Sequence, residues 1–209
     1  MSLDGFVAGP NPSLQLPLGE GGERLHEWAY GLRSFRERHG HEGGEENADS
    51  QALQKSMDAT GAVVMGRRMF SGGEGPWETD PNADGWWGDE PPFRVPVFVL
   101  THHEREPVTK AGGTSFTFVT DGVESAVAQA SEAAGDKDVT VAGGAHAIQQ
   151  ALAAGLVDEL LIHVAPLLLG GGTSLFAQLG AEGVGLQRLD VVDSHAATHL
   201  RFAVAPERV

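Results

Sequence analysis

Three short segments place groups suited to phosphate where a strand is expected to end. Gly143-Gly144 lies between the strand-like run Val139, Thr140, Val141, Ala142 and a helical pattern of Ala145, Ile148, Ala151 and Leu152. Gly66 closes the apolar run of residues 62–65 and is followed by Arg67 and Arg68, while Thr101-His102 follows the apolar run of residues 95–100. A strand that enters a helix through glycines leaves backbone N–H groups unpaired at the positive end of the helix dipole, which is a seat for phosphate. Guanidinium groups nearby can take a second phosphate through paired N–H donors. In an open α/β sheet ligands bind beyond the carboxyl ends of strands, so Gly66, Arg67, Arg68, Thr101, His102, Gly143, Gly144 and Ala145 together point to a diphosphate-bearing ligand. Taken singly, each of these features is ordinary turn or surface chemistry.

Two further residues are candidates for proton chemistry. Asp4 is a carboxylate at the end of an otherwise apolar segment beside Gly5, a position that suits either an ordinary turn or an approaching ligand. His163 stands inside the apolar stretch of residues 160–169, where it is either a satisfied core histidine or part of a pocket wall. His26-Glu27 and His41-Glu42 begin like H-E-x-x-H, but the fifth positions are Tyr30 and Glu45, so no zinc pattern and no metal site is expected. The chain has no cysteine, which removes disulfides, thiol nucleophiles and thiolate-held metals. G-x-S-x-G, G-x-G-x-x-G and the P-loop pattern are all missing.

Elements to position these groups can be read from periodicity. A short strand over residues 1–7 precedes a Gly- and Pro-rich loop over 8–22. Leu25, Trp28, Leu32 and Phe35 predict an amphipathic helix over 21–38, and residues 47–57 a second helix capped by Asn47 or Asp49. Strands are expected over 62–65, 95–100, 116–119, 139–142, 160–169, 186–193 and 198–204. Helices are expected over 121–134, with Asp121 as cap, and over 145–152, stopped by Gly155. Residues 71–92 form a long irregular loop whose Trp77, Trp86 and Trp87 make a lid, a dimer contact or a small core that pins the loop. Alternating strands and helices closed by a β pair define an α/β fold. Its central sheet is mixed but mostly parallel, is flanked by helices and has an antiparallel C-terminal edge. With no internal repeat or linker, residues 1–209 are read as a single domain.

Composition narrows the partners. A net charge of −15 argues against nucleic acid and anionic membranes, since both require a basic face. Apolar residues make up 41% and charged residues 21%, which is the range of a globular protein. No apolar run is long enough to span a bilayer and no signal peptide is visible, so a cytoplasmic location is expected.

Five blocks make the chain resemble the dihydrofolate reductase-like family, with the nearest likeness to the reductase domain of the bifunctional riboflavin-biosynthesis deaminase–reductase and its stand-alone relatives. They are SLDGFVAGP (2–10), VVMGRRMF (63–70), VFVLTHH (97–103), VAGGAHAIQQALAAGLVDEL (141–160) and PLLLGGGTSLF (166–176). The resemblance implies a dihydrofolate reductase-like fold with a mixed eight-stranded sheet, NADPH as cofactor and a homodimer. It implies reduction of a C=N or C=O group in a small molecule, of the 5-amino-6-(5-phosphoribosylamino)uracil or dihydrofolate kind. In its terms Gly143, Gly144 and Ala145 hold the diphosphate, Arg67 and Arg68 contact diphosphate and 2′-phosphate, and Thr101 and His102 lie beside the adenosine. Val7 and Ala8 run along the nicotinamide, Asp4 lies near the substrate or the nicotinamide ribose, and residues 168–172 form the substrate-side loop. Asp4, His163 and ordered water are the alternatives for proton donor.

The chain departs from the family pattern in three places. Its first strand is curtailed, pointing either to a start upstream of Met1 or to a truncated strand. The first long helix offers Glu23, Glu27 and Glu37, none in the context of a pteridine-binding carboxylate, and there is no zinc deaminase signature. The absent folate-type carboxylate and the curtailed strand motivate a second reading, a dinucleotide- or ligand-binding protein without catalysis, and the Trp-rich loop leaves a third, a structural or dimerisation module.

Overall fold

The computed structural model describes residues 1–177, 179 and 183–205. By contact they group into two compact units, one made of Met1–Lys55 with Gly155–Val209 and the other of Ser56–Ala154. In chain order the elements are β1 (Phe6–Ala8), α1 (Glu27–Tyr30), α2 (Arg33–Arg38), α3 (Ala48–Ala59), β2 (Thr60–Gly66), α4 (Arg67–Ser71), β3 (Pro96–Leu100), β4 (Val108–Thr109) and β5 (Ser115–Val119). Then follow α5 (Val123–Ala134), β6 (Asp138–Gly143), α6 (Ala145–Ala153), β7 (Glu159–Val164), β8 (Thr173–Ser174), β9 (Leu186–Asp193) and β10 (Thr198–Val204).

The Ser56–Ala154 unit is built on a five-stranded sheet in the order β4-β5-β3-β2-β6, parallel except for the β4 edge. Successive side chains of a strand point to opposite faces, and β2 shows the consequence directly. Ala62 and Val64 enter one core with Phe98, Val119 and the Ala126, Ala130 and Ala134 face of α5. Val63 and Met65 enter a second core with Phe70 of α4, Val97, Val99, Phe116 and Phe118. Both faces of β2 are therefore covered, which is why its sequence is a continuous apolar run rather than an alternating one.

In the other unit β7, β10 and β9 form an antiparallel sheet, and β1 pairs with β8. The expected C-terminal hairpin is present with the expected bounds, closed where Ser194 N–H donates to Ala197 O. Where the resemblance implies one mixed eight-stranded sheet, the described strands are hydrogen-bonded as a five-stranded sheet, a three-stranded sheet and the separate β1–β8 pair.

Several boundaries differ from expectation for identifiable reasons. The helix over 21–38 is broken into a short turn of helix over Gly22–Leu25 and then α1 and α2, because Gly31 ends α1 and Leu32 is extended and bridges Glu45. Asn47 does cap α3, its Oδ1 accepting the Ser50 N–H at 3.0 Å. Asp121 does not cap α5; Gly122 occupies that position with φ 98° and no side-chain cap bond. The strand over 160–169 stops at Val164, just ahead of Pro166, which has no N–H to give to a ladder.

Candidate functional site

In the Ser56–Ala154 unit the three phosphate-suited segments come together by register. Gly66 pairs across with Leu100 of β3, and Met65 with Gly143 of β6, so the carboxyl ends of β3, β2 and β6 lie side by side. The chain leaves β2 toward β3 and later returns to β6 on the other flank, which makes the β2–β6 boundary the topological switch of this sheet. Gly143 is buried with φ 144°, and its peptide bond to Gly144 is cis. Gly144 is exposed with open space where a Cβ would stand, and α6 starts there without a side-chain cap. Uncapped N–H groups beside exposed, side-chain-free backbone fit an anionic diphosphate.

Arg67 and Arg68, adjacent in sequence, are separated by structure. The Arg67 side chain is 6% exposed, with its guanidinium 3.4 Å over the Trp77 ring and Nη2 2.5 Å from Asp80 Oδ2, off the line of a hydrogen bond. Its Nη1 donates to Ser71 Oγ, and the Ser71 hydroxyl donates to Asp80 Oδ2 at 2.8 Å. Burial pushes the Asp80 carboxyl up, but Ser71, the Asn82 N–H and Arg67 outweigh it and hold the group below the usual range. Arg67 is thus engaged inside the unit rather than presented to a ligand. Arg68 is 59% exposed and paired with the equally open Glu74, a contact that a phosphate can displace.

Thr101 is buried, and its Oγ1 accepts the His103 N–H at 3.1 Å, so the side chain shapes the turn after β3 and leaves His102 exposed. The tryptophans pin their loop. Trp77 packs edge-on against Phe70 and Phe118 and donates to His103 O, Trp86 donates to Met69 O, and Trp87 packs on Phe93. Among the lid, dimer-contact and small-core readings, these contacts are those of the small core.

The remaining candidates lie in the other unit. Asp4 receives two backbone N–H groups through its two oxygens, from Leu169 at 3.1 Å and Gly170 at 2.7 Å. The Ser2 hydroxyl and these N–H groups hold its carboxyl below its ordinary range despite some desolvation. The clamp is therefore complete above that range and lost as pH falls through it. A carboxylate in this state is an acceptor and carries no proton to donate near neutrality. Val7 and Ala8 belong to β1, whose partner β8 follows the Asp4-clamped loop. A Cβ on Gly172 would stand 2.1 Å from the Ala8 carbonyl oxygen, so only glycine admits this approach.

His163 has partners that sequence reasoning missed. It stands directly opposite His199 in the β7–β10 ladder, and their Nδ1 atoms are 2.6 Å apart. His199 is buried; its Nε2 lies 2.7 Å from Oδ1 of buried Asp49 on α3, and the other Asp49 oxygen accepts the Ser194 hydroxyl at 2.6 Å. The Trp28 ring packs against both imidazoles. Burial, followed by His199 and the N-terminal amine, pulls the His163 ring down to about 4 against the opposing pull of Asp49. The one legible trace was His199 itself, a histidine among apolar residues of a predicted strand. Asp49 was masked by its reading as a helix cap.

The chain belongs to the RibD C-terminal domain family, whose sequence profile matches residues 1–200. Among solved structures it is similar to a candidate riboflavin biosynthesis protein from Shewanella sp. PV-4, with TM-score 0.63 and 21% identity over 99% of this chain and 96% of that one. It is also similar to RibD of Acinetobacter baumannii, with TM-score 0.58 and 17% identity over 98% of this chain and 56% of that one. A third structure is the diaminohydroxyphosphoribosylaminopyrimidine deaminase/5-amino-6-(5-phosphoribosylamino)uracil reductase of Thermotoga maritima, with TM-score 0.56 and 14% identity over 98% of this chain and 54% of that one. The chain thus spans about half the length of the latter two proteins. At these identities the likeness is one of fold. Curated protein sequences yield no match. No helix among the described residues is long and apolar enough to cross a membrane, and no cluster of metal-ligating side chains occurs among them.

Proposed function

We propose that this protein is an NADPH-dependent reductase of the riboflavin-biosynthesis type, acting on a C=N or C=O group of a small molecule. The observation that carries the reading is the register of β2, β3 and β6, which sets Gly66, Thr101-His102 and the Gly143-Gly144 turn at one edge of one sheet. Family membership supports it. When bound, NADPH would supply the hydride for the electrophilic carbon. Gly143, Gly144 and Ala145 would hold the diphosphate through backbone N–H groups, with Gly66 leaving room and His102 beside the adenosine. Arg68 would take the 2′-phosphate. Val7 and Ala8 are the proposed backbone contacts of the nicotinamide, and the reading includes a homodimer and a cytoplasmic location.

Titrating NADPH while following tryptophan fluorescence tests the cofactor half, since Trp77 and Trp86 stand beside the Arg67–Met69 segment. A saturable signal is expected; silence with both NADPH and NADH would remove the reading. Loss of NADPH absorbance across a panel of imines and carbonyls, beginning with 5-amino-6-(5-phosphoribosylamino)uracil, then separates an enzyme from a binder. Arg68→Ala should weaken NADPH by about tenfold and leave NADH nearly unchanged, the scale of one lost charge-assisted contact. An equal effect on both cofactors would remove the 2′-phosphate role.

Asp4 is proposed as the anchor of the loop at Leu169 and Gly170 rather than as the proton donor. Asp4→Asn should raise the substrate KM and leave both NADPH affinity and the shape of the pH–rate profile intact. A profile that loses an ionisation in this variant would restore Asp4 as the acid.

A further inference from the structure

A hydride reduction also needs a proton, and the Met1–Lys55/Gly155–Val209 unit holds a hydrogen-bonded chain of three titratable side chains, Asp49, His199 and His163. We propose that Asp49, His199 and His163 form a proton relay whose outer end, His163 Nε2, gives the proton that accompanies the hydride. Its purpose rests on the reductase reading; its existence does not.

The hydrogen-bond arithmetic leaves two arrangements. Asp49 accepts at both oxygens, so His199 Nε2 carries a hydrogen throughout. Two Nδ1 atoms 2.6 Å apart must share one hydrogen. In the resting arrangement it sits on His163, and His163 Nε2 is a lone pair. When a proton enters at that Nε2, the shared hydrogen passes to His199 Nδ1, and the positive charge settles on the ring beside the Asp49 carboxylate. Delivery runs the same path backward. The Nε2–H bond of His163 breaks as an N–H or O–H bond forms on the substrate heteroatom, and the shared hydrogen returns to His163. The substrate gains hydride and proton together, and the relay ends one proton poorer.

The surroundings suit this role. His163 is half-buried, and among the described residues its Nε2 is neither hydrogen-bonded to protein nor closed off from solvent. The charged groups facing the pair are Asp49 and the Met1 amine, which donates to His163 O at 2.5 Å. Trp28 lies on both rings and Val192 of β9 stands opposite His199, and neither brings a charge. A pair serving only to tie β10 to α3 would require His199 and Asp49 but not a second imidazole in Nδ1-to-Nδ1 contact. Here His163 is the catalytic residue, while His199 and Asp49 are positioning residues.

Imidazole nitrogen NMR of the ligand-free protein across pH reads the relay directly. One proton uptake shared by both rings is expected, with His199 Nε2 protonated throughout; two independently titrating rings would overturn the relay. With NADPH and substrate saturating, His199→Gln and Asp49→Asn should slow the single-turnover rate about 10²-fold near neutrality. NADPH affinity, which also reports the fold, should stay within about twofold of wild type. Delivery needs the protonated relay, so the rate falls as pH rises. With His199 gone the charge can no longer pass to the ring beside Asp49 and must stay on His163, which burial pulls down, so that fall should move to lower pH. Asp49→Asn keeps the shape while removing the charge, and serves where His199→Gln fails to fold. An unmoved profile in a folded variant would place the proton source elsewhere. If wild type binds no NADPH or reduces nothing, the reductase reading fails, and the NMR result still decides the relay.

Discussion

Arg67→Ala is expected to lower the stability of the protein by about 3–5 kcal/mol, the range for removing one partner of a buried ion pair, without distinguishing NADPH from NADH. The guanidinium is held by Asp80, Ser71 and the Trp77 face, and the Asp80 side chain is itself 2% exposed. Truncation leaves that carboxylate buried without its counter-charge and strips one face of Trp77. Chemical denaturation reads the loss as a lower midpoint at constant slope. Arg67→Met combined with Asp80→Asn should recover much of it, because the cost lies in the orphaned charge. The opposite outcome, wild-type stability with selective loss of NADPH, would return Arg67 to the cofactor. Together with Arg68→Ala the pair should make a sharp contrast between neighbouring residues, one expected to act on the fold and one on the ligand.

Gly172→Ala should have the second large effect. Its φ is 126°, a region that L side chains rarely adopt, and the added methyl would stand 2.1 Å from Ala8 O and 2.8 Å from the Gly9 carbonyl carbon. Backbone strain of this kind costs about 1–3 kcal/mol, and the overlap adds a similar amount because both clashing atoms are main chain. The β1 segment must therefore move. If Val7 and Ala8 orient the nicotinamide, turnover should fall about 10²-fold, as a displacement of about 1 Å can do. Gly171→Ala is the control, since nothing lies within 4 Å of its would-be Cβ and its φ is not positive. Near wild-type turnover in Gly172→Ala would detach β1 from the reaction.

What could be read along the chain was whatever depends on neighbours in sequence. The Gly143-Gly144 turn, the apolar run of β2 with Gly66 at its end, the Asn47 cap and the β9–β10 hairpin rest on glycine stereochemistry, side-chain periodicity and local hydrogen bonds. The alternation of such elements carried the α/β class, and the glycine turn and the β2 run with Gly66 lie in two of the five blocks that carried the family likeness. Long-range pairing was not legible. Arg67 and Arg68 look alike in sequence, and only the return of Asp80 and Trp77 over α4 turns one inward and leaves the other open. Asp49 reads as a helix cap until β10 brings His199 against it across 150 positions of chain, and His163 gains its partner only through the β7–β10 register. The proposed phosphate seat asks for little more than a turn and a helix start, so local rules suffice to point to it. A proton relay needs side chains from three distant segments within hydrogen-bonding distance, and only the tertiary structure decides that.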